Sequence, residues 1–318
     1  DFIVNLVNPS KTDKILDPAC GTAGFLISAY KHIINDDANK VLNFDDKKKI
    51  LSNISGYDIE PSMVRIAEMN MYLHGCPEPD INEYDTLTSD DRWDDKFDII
   101  LANPPFMTPK GGITPHNKFI VKASRAEVLF VDYICEHLRA NGKAGIVVPD
   151  TILYSEQTDA FISLRKILYK AGLFAIVSLP SGIFKPYAKE IKTSILLIDK
   201  KRASKTDKTL VVYVKADGFT LTDTRKPTSK NDLPSAKKLM TEYLDFIDGK
   251  IDNPNLTLRT DFLKSTCPFS SFQSRISEMH LVLSISFFAM SPLCVVLSES
   301  GTIFRTTSSD NPAFLAAF

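Results

Sequence analysis

Net charge is almost absent from this sequence. Its 38 lysine and arginine residues are balanced by 39 aspartate and glutamate residues, which leaves a formal net charge of −1. This balance excludes a chain that coats nucleic acid or an anionic membrane through overall charge, so any nucleic-acid contact has to be local.

Cysteine is scarce and scattered, and none of its spacings is typical of a zinc site or a disulfide framework. The five residues are Cys20, Cys76, Cys135, Cys267 and Cys294. The N-terminus carries no secretory signal pattern. A reduced, cytoplasmic protein without a bound metal is the simplest interpretation.

Long uncharged segments are missing from most of the chain. The exception is Met279–Ser298, which is long enough to be a marginal membrane-span candidate. Its serines and Pro292 weaken that reading, and we expect no membrane association. We expect residues 1–264 to form one α/β domain that is truncated at its N-terminus, and residues 265–318 to be an atypical tail that is non-native or disordered.

Two common nucleotide-binding motifs are also missing. The chain has neither the G-x-G-x-x-G pattern of dinucleotide sites nor the G-x-x-x-x-G-K-[ST] phosphate loop. A strand at Lys14–Leu16 is instead followed by Asp17-Pro-Ala-Cys-Gly-Thr-Ala-Gly24, in which Gly21 and Gly24 let the backbone turn and approach a ligand closely. The remaining common ligand for such a loop is a nucleoside that carries a sulfonium and an amino-acid tail.

Acidic residues follow the next two predicted strands. Asp58 ends the strand Ile54–Tyr57, where a carboxylate can hold a ribose through its two hydroxyls. Asp85 lies near the end of a weaker third strand, Ile81–Leu87, and either reads an exocyclic amine or serves as a turn residue.

The most informative stretch is Phe97–Phe106, FDIILANPPF. Its apolar run predicts a buried parallel strand that two prolines terminate. Asn103 supplies a carboxamide and Phe106 a flat apolar face, a pairing that suits a planar ring with an exocyclic amine. Asn-Pro-Pro is also a common turn signal, so the functional reading depends on the glycine loop upstream.

Strands and helices alternate along the chain, which predicts an α/β fold with a doubly wound, mostly parallel sheet. We expect a helix from about Ala126 to Leu138, a strand at Ala144–Val148 and an outer helix at Pro234–Phe246. No helix separates the strands Phe174–Leu179 and Thr193–Ile198, so the last is expected to run antiparallel at an edge of the sheet.

Two lysine-bearing segments flank the expected site. Met107–Lys118 is rich in Gly, Pro, Thr and Lys, which predicts a flexible lid or nucleic-acid contact. A basic surface along the segments 110–122 and 185–192, which carry Lys185, Lys189 and Lys192, would favour a nucleic-acid substrate over a protein tail.

In order, the segments DPACGTAGF, GYDIEP, EYDTL and ILANPPF resemble those of the DNA adenine N6-methyltransferases. The nearest likeness is to the modification subunit of type I restriction–modification systems, from Asp1 to the mid-200s. This resemblance implies a fold of the S-adenosylmethionine-dependent methyltransferase type. It also implies DNA as substrate, with a specificity subunit and a nuclease/translocase subunit as partners.

The resemblance also implies roles for individual residues. Asn103 and the Pro104 carbonyl would hold the target amine, and Phe106 would stack on the flipped base, with Pro105 completing the catalytic motif. S-adenosylmethionine would contact the residues Asp17, Ala19, Gly21, Thr22, Gly24, Phe25, Asp58, Ile59, Asp85, Thr86, Leu87 and Asn103.

Two alternatives stay open. The same Asn-Pro-Pro motif also suits methylation of protein glutamine or of RNA amines. An inactive, truncated module that only binds or assembles is the second alternative. The glycine spacing makes a nicotinamide oxidoreductase a distant third.

Overall fold

The structure is a computed structural model, and it describes residues 1–36, 42–106, 108–155, 157–185, 191–206 and 209–252. Within these ranges the strands are β1 (Ile15–Asp17), β2 (Ile54–Asp58), β3 (Asp80–Glu83), β4 (Phe97–Ala102), β5 (Leu138–Pro149), β6 (Leu173–Ser178), β7 (Thr193–Asp199), β8 (Leu210–Tyr213), β9 (Asp217–Phe219) and β10 (Pro227–Asn231). The α-helices are α1 (Phe2–Val7), α2 (Gly24–Asp36), α3 (Phe44–Leu51), α4 (Pro61–Leu73), α5 (Ala126–His137), α6 (Thr151–Tyr154), α7 (Asp159–Lys170) and α8 (Leu233–Ile247).

Eight strands form one sheet in the order β3-β2-β1-β4-β5-β7-β6-β8. All are parallel except β7, which pairs antiparallel with both β5 and β6. The antiparallel direction is therefore confirmed, but its expected place at an edge is wrong, because β7 lies inside the sheet. All seven of its residues are buried, as expected for an apolar strand that is paired on both sides and covered on both faces.

The sheet is covered on both faces, as the doubly wound prediction requires. Neighbouring residues of one strand enter different cores: Ile15 joins one apolar cluster and Leu16 the other, and Ile99 and Ile100 divide in the same way. Successive side chains of a strand point to opposite faces, so this alternation places one core on each side of the sheet.

Several predicted boundaries shift. The helix expected over about Ala126–Leu138 is confirmed as α5, but the strand expected at Ala144 begins earlier, at Leu138, directly after that helix. The register of β5 against β4 shifts between the pairs Phe97–Leu138 and Ile99–Lys143, so the irregular stretch around Gly142 lies within the strand. The third strand ends at Glu83, before Asp85.

The outer helix is confirmed as α8, and the two-stranded ribbon of β9 and β10 was missed. The membrane-span candidate and the tail from residue 265 lie outside the described residues. Among the helices that are described, none combines the length and apolar character needed to cross a membrane.

Candidate active site

Four loops meet at one edge of the sheet. Strands β3, β2, β1 and β4 are neighbours and parallel, so the segments that follow them all emerge at their common carboxyl edge. The pairs Ile15–Ile99 and Leu16–Ile100 set the register of β1 against β4. Asp17, the last residue of β1, and Ala102, the last residue of β4, therefore end their strands within one residue of each other in register, and the segments after them leave the sheet side by side. The two sequence motifs that carried the functional prediction are therefore adjacent.

The glycine loop, residues 17–24, is tightly constrained. Gly21 has a φ of +51° and Ala23 a φ of +62°, both in the left-handed region that disfavours side chains. The loop is fixed to β2 because the Cys20 amide donates to the Tyr57 carbonyl at 2.8 Å. Ala23 is fully buried, so its strained backbone is held by its surroundings. The glycines predicted a turn at Gly21, but nothing in the sequence indicated the strain at Ala23.

Asp17 is a buried carboxyl at the start of this loop. Its side chain is 2% exposed, and its Oδ1 accepts a hydrogen bond from the Ala19 amide at 3.1 Å. Burial raises the pKa of Asp17 to about 8, with a smaller contribution from the charge of Asp58, while the Ala19 amide opposes the rise. A group in this state gains its negative charge readily when a cation binds beside it.

Asp58 joins the loops after β1 and β2. Its Oδ2 accepts from the Gly21 amide and its Oδ1 from the Glu60 amide, each at 2.9 Å. Each carboxylate oxygen has two acceptor positions, so both can still receive a hydroxyl. The adjacent Ile59 is 64% exposed, which presents an apolar surface beside the two loops.

A hydrogen bond joins the loop after β3 to the glycine loop. The buried Thr86 hydroxyl donates to the Pro18 carbonyl at 2.9 Å, so the hydroxyl proton is not available to a ligand. Asp85 closes its own turn, because its Oδ1 accepts from the amides of Leu87 at 3.0 Å and Thr88 at 3.2 Å. The Leu87 side chain is buried in a core cluster. Asp85 therefore serves as a turn residue, and its contact with an exocyclic amine stays a prediction.

Two residues that support the glycine loop escaped sequence reasoning. The Asn70 amide, on α4, donates to the Thr22 carbonyl at 2.7 Å. In β2, a β-carbon at Gly56 would stand 2.8 Å from terminal methyl carbons of Ile81 and Leu26. Gly56 is thus required for close packing beneath the loop. The sequence signal for this packing is a glycine inside a predicted strand, since glycine there often marks a place where other atoms approach the backbone closely.

The Asn-Pro-Pro-Phe segment leaves the sheet as predicted. Asn103 is exposed, Pro104 is buried, Pro105 is exposed and Phe106 is half-buried. The ring of Phe106 packs edge-to-face against Phe184 with the centroids 6.3 Å apart. Phe184 belongs to the loop after β6, so a third part of the sheet contributes an aromatic wall to this edge.

The remaining predicted site residues belong to the glycine loop. Ala19 and Phe25 are half-buried, while Thr22 and Gly24 are exposed. Phe25 packs against one of the two cores. The sequence placed all four correctly at the sheet edge, and the contact of each with a ligand stays a prediction. Among the described residues, no group of three or more metal-ligating side chains could hold a metal ion.

The loop that follows Phe106 is more ordered than its composition predicts. The Ile113 amide donates to the Ser124 carbonyl at 2.8 Å, and the His116 amide to the Leu87 carbonyl at 3.2 Å. The His116 ring packs edge-on against Trp93 with the centroids 4.4 Å apart. These contacts hold the described part of the segment in place, and its role as a lid or nucleic-acid contact stays a prediction.

Within their described residues, the lysines of the two lysine-bearing segments differ in exposure and in pairing. Lys110 and Lys122 are exposed, but Lys118 pairs with Asp90 at 3.2 Å. Lys192 turns inward: its ammonium donates to the Ser178 hydroxyl at 2.7 Å, and burial lowers its pKa. Lys189 lies outside the described residues. Lys192 points inward because it directly precedes β7, which lies in the interior of the sheet. The composition of the segment did not indicate this position of the strand.

The sheet order, with an antiparallel strand between two parallel ones, and the glycine loop beside an Asn-Pro-Pro-Phe turn together define the α/β methyltransferase fold. The sequence matches the family described as N-6 DNA Methylase over residues 1–250. The chain therefore belongs to the N-6 DNA methylase family.

Individual relatives agree with this assignment. The EcoEI methylase subunit of a type I restriction enzyme from Escherichia coli is 35% identical over 208 residues, which cover 64% of this chain and 41% of that protein. The crystal structure of the EcoKI M protein, from a type I restriction enzyme, aligns with a TM-score of 0.55 at 32% identity, covering 63% of this chain and 42% of that one. A structure titled for complex assembly and conformational transition of the type I R-M system aligns with a TM-score of 0.61 at 25% identity, covering 91% of this chain and 63% of that one.

The chain spans about two fifths of the length of the curated relatives it matches, 41% of one and 38% of another.

Proposed function

We propose that this chain transfers a methyl group from S-adenosylmethionine to the N6 amine of adenine in DNA, as the modification subunit of a type I restriction–modification system. The observation that carries the proposal is the adjacency of Asn103 to the glycine loop, set by the β1–β4 register. A target amine held by Asn103 would meet a methyl donor seated on that loop.

The residues around the glycine loop fit S-adenosylmethionine. No described atom lies within 4 Å of the place where a β-carbon would stand at Gly21 or Gly24, so the loop surface is accessible to a ligand. The buried Asp17 carboxyl suits the cationic amino-acid end, and Asp58 has acceptor positions for ribose hydroxyls. The exposed Ile59 offers an apolar face for the adenine ring. When bound, the cofactor supplies an electrophilic methyl group on a sulfonium.

Asn103 and Pro104 would prepare the target amine. The lone pair of an adenine amine is delocalised into the ring, which makes the nitrogen a poor nucleophile. Hydrogen bonds from its two protons to the Asn103 Oδ1 and the Pro104 carbonyl would favour tetrahedral geometry and free that lone pair. The rigid prolines hold both acceptors in place, so the residues act mainly by alignment and electrostatic stabilisation.

Phe106 and Phe184 would receive the extruded base. Removing a base from the duplex costs a few kcal/mol, and stacking on an aromatic ring offsets part of this cost. The edge-to-face contact of Phe184 holds the Phe106 ring in position. An adenine on the free face of Phe106 would lie directly beside Asn103.

Asn103→Ala tests this proposal. We expect the variant to retain S-adenosylmethionine binding by titration calorimetry and to lose methyl transfer by about 10²–10³-fold, the usual effect of removing one preorganised polar contact. Asn141→Ala is a matched control, because Asn141 is an exposed asparagine in the part of β5 nearest the opposite edge of the sheet. Full transfer by Asn103→Ala would refute the proposed role.

The chemical identity of the product tests the substrate. Transfer of labelled methyl groups to DNA, followed by nucleoside analysis, should give N6-methyladenine. Label recovered on glutamine side chains or on RNA would contradict the DNA assignment. Wild-type cofactor binding in the micromolar range, about −8 kcal/mol, would show that the described loops form a complete cofactor site. No detectable binding would instead support an inactive binding module.

The proposal also includes partner subunits. Two of the matched proteins are subunits of type I restriction enzymes by name, and one matched structure concerns assembly of such a system. We expect a specificity subunit to supply sequence recognition, since the near-neutral charge of this chain gives it little affinity for DNA through overall charge. Gel filtration of this chain with a specificity subunit of a type I system tests this assignment. Failure of the two to co-migrate would argue against it.

A further inference from the structure

We propose that Arg125 is a DNA-positioning residue that binds a backbone phosphate next to the target adenine. This inference rests on the proposed function, and it adds a residue outside the four motifs that carried it. It starts from the way in which Arg125 is held at the catalytic edge of the sheet.

Arg125 stands at the start of α5, where the chain returns from the catalytic loop. The Ala126 amide donates to the Thr108 hydroxyl at 3.2 Å, so the beginning of α5 is joined to the segment that follows Phe106. Helix α5 connects β4 to β5, two parallel strands, and therefore begins at their carboxyl edge. Arg125 thus lies at the same edge as Asn103.

Two contacts fix the Arg125 side chain. Its Nε donates to the Glu127 Oε1 at 2.7 Å, and its guanidinium carbon lies 5.5 Å from the centre of the Phe161 ring. A guanidinium at this distance from an aromatic ring is held by cation–π attraction. Phe161 belongs to the first turn of α7, so Arg125 bridges the beginnings of two helices that pack on each other.

The pair is unequally buried, which directs its positive charge outward. The Glu127 side chain is 1% exposed and that of Arg125 is 44% exposed. The Glu127 Oε2 has no hydrogen-bond partner among the described residues. A buried carboxylate with half of its acceptors unused is a costly way to stabilise a fold. The Glu127 carboxylate can instead hold the one exposed guanidinium of Arg125 in a fixed direction.

The chemistry of the exposed end favours phosphate. Among the described residues, Arg125 makes its hydrogen bond through Nε alone, which leaves both terminal nitrogens as a planar pair of donors on a side chain that is 44% exposed. Paired donors of this kind match two phosphate oxygens, and the fixed side chain loses little conformational entropy on binding. The backbone beside an extruded adenine presents such phosphates at this edge.

The experiment uses the full chain together with a specificity subunit of a type I system, and a fluorescein-labelled duplex of about 20 base pairs with one unpaired adenine. Anisotropy titrations between 50 and 200 mM salt give both the dissociation constant and its salt slope. Arg125→Ala should weaken binding by about 10-fold to 100-fold at low salt, as expected for loss of charged hydrogen bonds. It should also reduce the salt slope by about one.

Further variants separate positioning from folding. Arg125→Lys should keep the salt slope and recover part of the affinity, because a lysine retains the charge without the paired donors. The double variant with Arg125→Gln and Glu127→Gln avoids an unpaired buried carboxylate, and it should lose DNA affinity while it melts cooperatively. S-adenosylmethionine affinity measured by calorimetry should be retained in each variant.

Arg139 provides a matched control. It forms an ion pair with Asp98 at 2.6 Å and is 42% exposed, much like Arg125, but it lies at the start of β5 at the opposite edge of the sheet. Arg139→Ala should leave the DNA affinity and its salt slope unchanged. Equal losses in Arg139→Ala and Arg125→Ala, or an unchanged salt slope in Arg125→Ala, would refute the proposed role of Arg125. Neither result would contradict the proposed methyl transfer. Absence of DNA binding and transfer by the wild type would refute the proposed function as well.

Discussion

Replacing Asp17 with asparagine should reduce the pH dependence of folding and remove the partner of the cationic end of the cofactor. Asp17 is 2% exposed, and burial raises its pKa from 3.8 to about 8. In the unfolded chain the same carboxyl titrates near its ordinary value of about 3.9. Between these two values the folded protein holds a proton that the unfolded chain has released.

The sign and size of the effect follow from this difference. Stability falls with rising pH wherever the native state binds more protons, so the wild type should lose stability from about pH 4 to pH 8. Each tenfold difference in proton affinity corresponds to about 1.4 kcal/mol, which gives an upper limit of roughly 6 kcal/mol for the whole interval. The carboxamide introduced by Asp17→Asn can still accept from the Ala19 amide, so the local turn should survive.

Urea unfolding of both proteins between pH 4 and pH 9 measures this contribution directly. The unfolding free energy of the wild type minus that of Asp17→Asn should fall by several kcal/mol over the interval, whatever constant offset the asparagine introduces. The exposed Asp94 provides the control as Asp94→Asn, which should follow the wild-type curve. A difference that stays flat, or that rises with pH, would refute the buried-carboxyl argument. The Asp17→Asn variant should also bind S-adenosylmethionine weakly at every pH.

Two further substitutions test how the glycine loop is supported. Thr86→Val keeps the shape of the side chain but leaves the Pro18 carbonyl without its donor, so we expect a loss of about 1–3 kcal/mol in unfolding free energy and weaker cofactor binding by calorimetry. Unchanged stability would show that the hydroxyl is dispensable. Gly56→Ala would place a methyl group 2.8 Å from terminal carbons of Leu26 and Ile81, and the overpacking should cost about 1–3 kcal/mol by chemical denaturation. An alanine variant as stable as the wild type would mean that these side chains move aside freely.

The local elements of the site follow from short stretches of sequence. The apolar run of β4, the prolines that end it and the glycines after β1 are short-range signals, because strand termination and tight turns depend on residues a few positions apart. The alternation of strands and helices likewise indicates a doubly wound sheet. These patterns were enough to place Asn103 and Gly21 at strand ends.

The contacts through which those elements support one another depend on the folded chain. The Thr86–Pro18 and Asn70–Thr22 hydrogen bonds join residues 68 and 48 positions apart, and nothing in the local pattern of either residue predicts its partner. The interior place of β7 has the same origin, because a uniformly apolar strand does not specify which neighbours it pairs with. Sequence periodicity reports which side chains are buried. The partners of buried polar groups, and the direction in which Arg125 points, depend on the strand order that packing selects.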